Sequence, residues 1–318
     1  MQNLKIQFKI KVLYFLFVVF IFLFLGFNFC QAVVLYLEPS NGDYQPGDTF
    51  LTEIKIDTQE CINIVEANLS FSQDILDAIN FSQGESILTI WIKPPTIDQS
   101  LGLISFIGGI PGGYCGKIPG DPGPSNLLGK IIFRIPEITV REVGENIAKV
   151  KFLESSQVLL NDMLGTKAKL TTQGAEFKIL SEKSEIPKDE WQKELEKDNI
   201  PPEPFEIEIH QDSLIFEGKY FIIFSTTDKQ TGIDYYEIRE GKRDWKKVSS
   251  PYLLEDQSLK SKILVRAVDK AKNERIAEYA PPISKKPFLY PYWIFILILI
   301  GIGIWHWLYK KSKIKYKY

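Results

Sequence analysis

Apolar positions along the chain fall into two patterns: long unbroken runs at the ends and short alternating segments between them. Val12 to Phe27 is an uninterrupted apolar stretch, and Phe288 to Tyr309 is 22 residues without a formal charge. Between them, Phe50 to Ile56 alternates around Thr52, Ile54 and Ile56. Ala67 to Phe71, Ile87 to Ile92, Leu103 to Ile107, Lys130 to Ile135, Ala148 to Leu153 and Ala175 to Leu180 are similar. They are short, rich in β-branched or aromatic residues, and bounded by Gly, Pro, Asn or Asp, as strands are. Tyr220 to Ser225, Ile233 to Arg239 and Ile263 to Val268 repeat the style downstream. No long internal segment carries a helical period. Many short strands without intervening helices predict sandwiches rather than a βαβ fold.

The C-terminal run is long enough for a hydrocarbon core of roughly 30 Å, which needs about 20 apolar residues. Tyr290, Tyr292 and Trp293 stand at one edge and Trp305, Trp307 and Tyr309 at the other. Such amphipathic rings favour the two membrane interfaces, so a transmembrane helix is predicted over 288–309. Gly301 and Gly303 lack the four-residue spacing of a helix-dimer motif. The N-terminal run has the order of a secretory signal: a basic start (Lys5, Lys9, Lys11), an apolar middle, then small residues. Cleavage is expected after Ala32, with an uncleaved anchor as the alternative. Cys30 invites a lipoprotein reading, but Phe29 before it is too large for a lipidation site.

Charge then fixes orientation. Three of the 38 Lys and Arg precede Val12 and five follow Tyr309, as the basic tail 310–318, leaving 30 between the runs against all 40 Asp and Glu. Basic ends stay cytoplasmic, so the middle is expected outside the cell, about ten charges negative. An acidic surface repels phosphate backbones, which disfavours nucleic acid as a partner. A charged stretch closing on Pro201, Pro202 and Pro204 marks a linker over 182–204. Within it, Pro187 to Asp198 is expected to form a short helix with Trp191 and Leu195 on one face. Domains are therefore expected over 33–181 and 205–281.

Outside a cell, Cys61 and Cys115 are permitted to form a disulfide; two independent buried thiols are the alternative. Candidate catalytic chemistry is thin. His210 stands alone and His306 lies in the predicted span, so no Ser-His-Asp, Cys-His or zinc-binding set can be assembled. Carboxylates are numerous, but no spacing marks two of them as a glycosidase pair. Gly108 to Asn126 is a Gly/Pro-rich stretch without the Lys-Ser or Lys-Thr of a phosphate cradle. It reads either as a plain loop or as a binding loop, with Tyr114 held beside Cys115, Trp91 on a strand and Asp121 further along. Trp91 reads equally well as core, sharing a face with Ile87 and Thr89. Calcium is a candidate ligand at sandwich edges, through Asp43 and Asp48 or through Asp228 and Asp269, although turn aspartates commonly serve local hydrogen bonds. No other cofactor is expected. Asn68 and Asn80 each head an Asn-x-Ser acceptor pattern for glycosylation.

The segment from Val33 to Leu180 resembles the cohesin family. VVLYLEP is followed by the turn GDYQPGD and the strand TFLTEIKIDT, and INIVEANLSFSQDILDAINFSQGES fits a strand, a short turn and a second strand. LLGKIIFRI resembles the strand before the final third of that fold. The second segment, with TTDKQTGIDYYEIREG and ILVRAVDKAKNE, resembles a bacterial Ig-like or fibronectin type III module; Ile263 stands where many such modules have a tyrosine. These resemblances imply an all-β chain: a jelly-roll cohesin-like sandwich, a smaller Ig-like sandwich and one C-terminal membrane helix. They imply a non-enzymatic cell-surface binding or scaffold protein, with a polysaccharide or a dockerin-like protein as partner. A structural envelope protein without a specific ligand is the alternative, and a glycoside hydrolase the third.

Overall fold

The computed structural model describes residues 32–116, 126–137, 146–180, 186–281 and 292–314. The expected signal segment ahead of Ala32, Asp121 and most of the basic tail lie outside these. Twelve strands build the first unit: β1 (Val33–Glu38), β2 (Asn41–Tyr44), β3 (Thr49–Asp57), β4 (Ile62–Phe71), β5 (Asp77–Ser82), β6 (Ile90–Asp98), β7 (Leu103–Tyr114), β8 (Leu127–Arg134), β9 (Ile147–Phe152), β10 (Gln157–Leu160), β11 (Leu170–Gln173) and β12 (Ala175–Ile179). They form two sheets. One runs β11-β1-β3-β8-β5; the other runs β2-β12-β9-β4-β7-β6, with β10 paired to β4.

Alternation sets which side of each strand is buried. Phe50, Thr52, Ile54 and Ile56 of β3, and Val65, Ala67 and Leu69 of β4, are fully buried, while the residues alternating with them are half-buried. Phe50 stacks on Tyr44 with ring centroids 3.9 Å apart and meets Phe177 at 4.9 Å and Phe133 at 5.7 Å. The two sheets thus share one aromatic-rich core. Burial pushes the Tyr44 phenol up to about 12, with nearby Glu190 and Asp48 adding to the shift.

The Gly/Pro-rich stretch departs from expectation at its start. Gly108 to Tyr114 is no loop but the second half of β7, paired with both β4 and β6. Glycine is needed there because a Cβ on Gly108 would lie 2.5 Å from a methyl of Leu88, and Gly113 holds a φ of +84°. Strand β6 also starts later than the pattern suggests. Ile87 and Leu88 are both buried, and alternation begins only after them.

From Lys188 onward the linker is docked on the first unit. Helix α1 (Glu190–Lys197) starts at Asp189, whose Oδ1 accepts from the Gln192 amide at 2.8 Å. Its Trp191 is buried. The Lys188 amide donates to Asp48 Oδ1 at 2.8 Å, the Thr49 amide to the Lys188 carbonyl at 2.8 Å, and the Leu51 amide to Glu190 Oε2 at 3.1 Å. These bonds fasten α1 to the outer side of β3.

Seven strands follow: β13 (Glu208–Asp212), β14 (Ile215–Ile223), β15 (Ile233–Glu240), β16 (Lys246–Val248), β17 (Tyr252–Leu253), β18 (Ile263–Asp269) and β19 (Glu274–Tyr279). They make a sheet β13-β14-β17 and a sheet β16-β15-β18-β19 around a smaller core that includes Ile222, Phe224, Ile238 and Val265. Tyr236 anchors the end facing the first sandwich: its hydroxyl accepts from the Thr226 amide at 3.1 Å. Helix α2 (Tyr292–Ile314) contains a span, Trp293–Lys311, long and apolar enough to cross a membrane, with mean hydropathy 1.6 and no part of it buried against the rest of the chain.

The two sandwiches touch at the end of β5. Ser82 Oγ donates to the Thr231 carbonyl at 2.7 Å, and Lys270 Nζ donates to Asn80 Oδ1 at 2.9 Å. Gly84 sits against the second unit so closely that an added Cβ would lie 2.0 Å from the Gln230 carbonyl oxygen. Backbone faces backbone here, so no side chain can swing aside. Gly84→Ala is therefore expected to separate the two sandwiches while leaving each core intact. Small-angle scattering of the variant will show a larger radius of gyration, and calorimetry will resolve two unfolding transitions. An unchanged scattering profile would contradict the close contact.

Candidate binding surface

The two sheets of the first sandwich differ in what covers their outer sides. Strand β8 is buried on both faces over nearly its whole length. Ile132, paired with Leu51 on the outer side, is fully buried. Lys130 on the same side is 6% exposed and reaches Glu85 at 2.6 Å and Glu194 of α1 at 3.9 Å. The linker and its helix thus cover this face.

The second sheet presents the opposite case. Directly paired residues share a face, so strand register reads out its surface in rows. One row runs Leu159–Ile64–Gly109–Ile90 across β10, β4, β7 and β6. Beside it lies Gln157–Glu66–Ile107–Lys93, and further along Asn68–Ser105–Thr96. Ile90 is 52% exposed, while Ile64 and Ile107 are half-buried. The polar members are tied down: Gln157 donates to Glu66 at 2.5 Å, and Lys93 Nζ donates to Ser105 Oγ at 2.8 Å. Gly109 leaves a low point in the apolar row. A Cβ there would meet nothing closer than 3.8 Å. Among the described residues, no element packs on this face.

Trp91 lies on the inner side of β6, opposite Gly108. It packs edge-on against Phe81 and Phe106, at 6.2 and 5.6 Å between centroids. One flank of it also borders a groove of about 560 Å³ between the sandwiches, lined on the far wall by Phe224, Tyr235 and Tyr236. The expected disulfide is present: Cys61 and Cys115 are bonded, with Cα atoms 4.2 Å apart. It closes the ladder end where Ile62 faces Tyr114. The placement of Tyr114 corrects the expectation of an outward aromatic. The ring is 2% exposed and belongs to the core, because the β4–β7 register shifts between Gly109 and Tyr114 and sets Tyr114 opposite the buried Ile62. Trp91 and Tyr114 therefore do not form one surface, and Asp121 lies outside the described residues.

Of the calcium candidates, Asp48 is buried with both oxygens occupied by amides, from Gln45 at 2.9 Å and Lys188 at 2.8 Å. It serves as the acceptor that joins a turn to the linker, and Asp43 is exposed. Asp228 and Asp269 meet at the junction with a third carboxylate, Asp198, that the sequence did not single out. Burial raises the Asp228 carboxyl above the usual range, against the pull of the Gly232 and Gln230 amides. Burial likewise raises Asp269, with Asn273 opposing. His210 is exposed and lies 3.1 Å from Glu208.

No protein-family model matches this chain, and no curated protein matches it. Among solved structures, it is similar to a non-cellulosomal cohesin from the archaeon Archaeoglobus fulgidus, at 14% identity over 48% of this chain and 93% of that one, with a TM-score of 0.37. It is similar to a type I cohesin–dockerin complex from Clostridium thermocellum, at 12% identity over 47% of this chain and 100% of that chain, with a TM-score of 0.35. A cohesin of Acetivibrio cellulolyticus scaffoldin B, in complex with a dockerin, matches at 12% identity over 47% of this chain and 100% of that chain, with a TM-score of 0.35.

Proposed function

We propose that this chain is a non-catalytic surface protein that captures a protein partner bearing a dockerin-like segment. The docking surface is the outer side of β10, β4, β7 and β6. The observation that supports this choice is the asymmetry of the first sandwich. The linker covers the β3–β8 part of one sheet, while the other sheet keeps an apolar row with a low point at Gly109 and a frame of tied-down polar groups. A preorganised face of this kind loses little side-chain entropy on docking. The cohesin-like order of strands and turns in the sequence supports the class of partner. Helix α2 supports attachment to a membrane, and the lysines around both apolar runs support an outward-facing acidic middle. Attachment confines the docking face to a surface and raises its effective concentration toward multivalent partners.

Gly109 supplies a clean test because an added Cβ would make only ordinary contacts, at 3.8 Å or more, and its φ is not left-handed. Gly109→Arg is expected to fold with an unchanged melting temperature while raising a bulky charge in the centre of the row. The protein is to be titrated against a panel of purified dockerin modules and, in parallel, soluble polysaccharides. The expected result is retention of a dockerin, weakened at least about 100-fold by Gly109→Arg. Equal binding by both proteins would move the site elsewhere. Retention of polysaccharide alone would replace the protein partner by a sugar and point to the groove beside Trp91. Retention of neither would favour the purely structural envelope role.

A further inference from the structure

We propose that Asp198, Asp228 and Asp269 hold one calcium-type divalent cation that locks the second sandwich to the end of α1. The three residues come from separate segments: the C-cap of α1, the β14–β15 loop and the end of β18. They are 6%, 4% and 0% exposed, and one carboxylate oxygen from each lies within 4.8 Å of the others. Two oxygens on opposite sides of a calcium ion, each bound at roughly 2.3–2.6 Å, stand about 5 Å apart, so the spacing fits. An all-oxygen, carboxylate-rich set suits a hard cation and not zinc or copper.

A second observation points to a missing ligand. Asp228 Oδ1 accepts from the Gln230 amide at 3.0 Å and the Gly232 amide at 2.8 Å, but its buried Oδ2 has no partner. An unpaired buried carboxylate oxygen is costly to keep. No Lys or Arg is ion-paired with any of the three aspartates among the described residues. Lys270, one residue from Asp269, sends its Nζ away to Asn80. The other oxygens are oriented without being exhausted. Asp198 Oδ2 accepts from Thr231 Oγ1 at 2.5 Å, and the Asp269 oxygens accept from the Asn273 amide and side chain at 2.8 and 2.9 Å. Each keeps lone-pair capacity for a cation. Gln230 adds a further buried oxygen without a partner, Oε1, on the same loop. A bound cation offsets the mutual repulsion of the three carboxylates and ties three segments at once.

The competing account is that protons, not a cation, neutralise the cluster. The two differ under chelation. The full-length chain in detergent is to be stripped with EDTA and titrated with calcium chloride, with magnesium chloride in parallel. One calcium per chain is expected by calorimetry, with a melting temperature higher in calcium than in EDTA by roughly 5 °C. Asp228→Asn keeps the Oδ1 acceptor and removes the charge. It is expected to fold, to lose the calcium isotherm and to melt at the same temperature in both buffers. Asp43→Asn, at an exposed site, is expected to leave the response intact. A wild-type protein that melts identically in EDTA and calcium and gives no isotherm would overturn the site. So would an Asp228→Asn or Asp269→Asn protein that binds calcium as the parent does.

Discussion

Replacing Cys61 and Cys115 together by serine is expected to lower the stability of the first sandwich by about 4 kcal/mol, from the chain entropy of the loop they close. The two residues are 54 positions apart and bracket β4, β5, β6 and β7. In the unfolded chain the bond holds together the two ends of this segment. In the folded chain it fastens the end of the β4–β7 ladder, next to the buried Ile62 and Tyr114. The melting temperature should fall by roughly 10 °C, since 1 kcal/mol corresponds to about 2–4 °C in a unit of this size. The same fall should follow reduction of the parent protein with a thiol. A double variant that melts with the parent would show that the bond constrains nothing.

Phe50→Ala is expected to cost about 3–5 kcal/mol, the range for truncating a fully buried phenylalanine. The ring lies between Tyr44 of β2, Phe133 of β8 and Phe177 of β12, and so joins both sheets. Its removal leaves a void whose aromatic lining cannot collapse, because each ring is also fixed by its own strand. Phe50→Leu fills most of the volume and should cost much less. Urea denaturation distinguishes the two: both variants should show lower midpoints, with the slope unchanged if the fold is kept. Equal midpoints for Ala and Leu would mean that the site relaxes freely.

Alternation made the central strands legible. Thr52, Ile54 and Ile56 in β3, and the pattern around Val265 and Ala267 in β18, each declare a buried side. The short edge strands were not legible. β10, β11 and β16 have three or four residues and little full burial, so they carry no period to read. Strand β8 was legible over Lys130 to Ile135, but its burial on both faces was not: α1 covers its outer side, where the buried Lys130 pairs with the exposed Glu85. Trp91, for which the pattern allows either core or surface, packs on Phe81 and Phe106 and borders the groove. The burial of Tyr114 was not legible, because the glycines before it read as a loop. Asp198 went unseen among the charges of the linker; its one signal is its position at the end of a short helix, facing a Thr–Gly turn.

Hydrogen exchange on the complex with a captured dockerin module tests the docking face most directly. The account predicts slowed exchange in β4, β6, β7 and β10, with β1, β3 and β8 of the other sheet unchanged. Protection confined to the linker-covered sheet, or to the second sandwich, would contradict it.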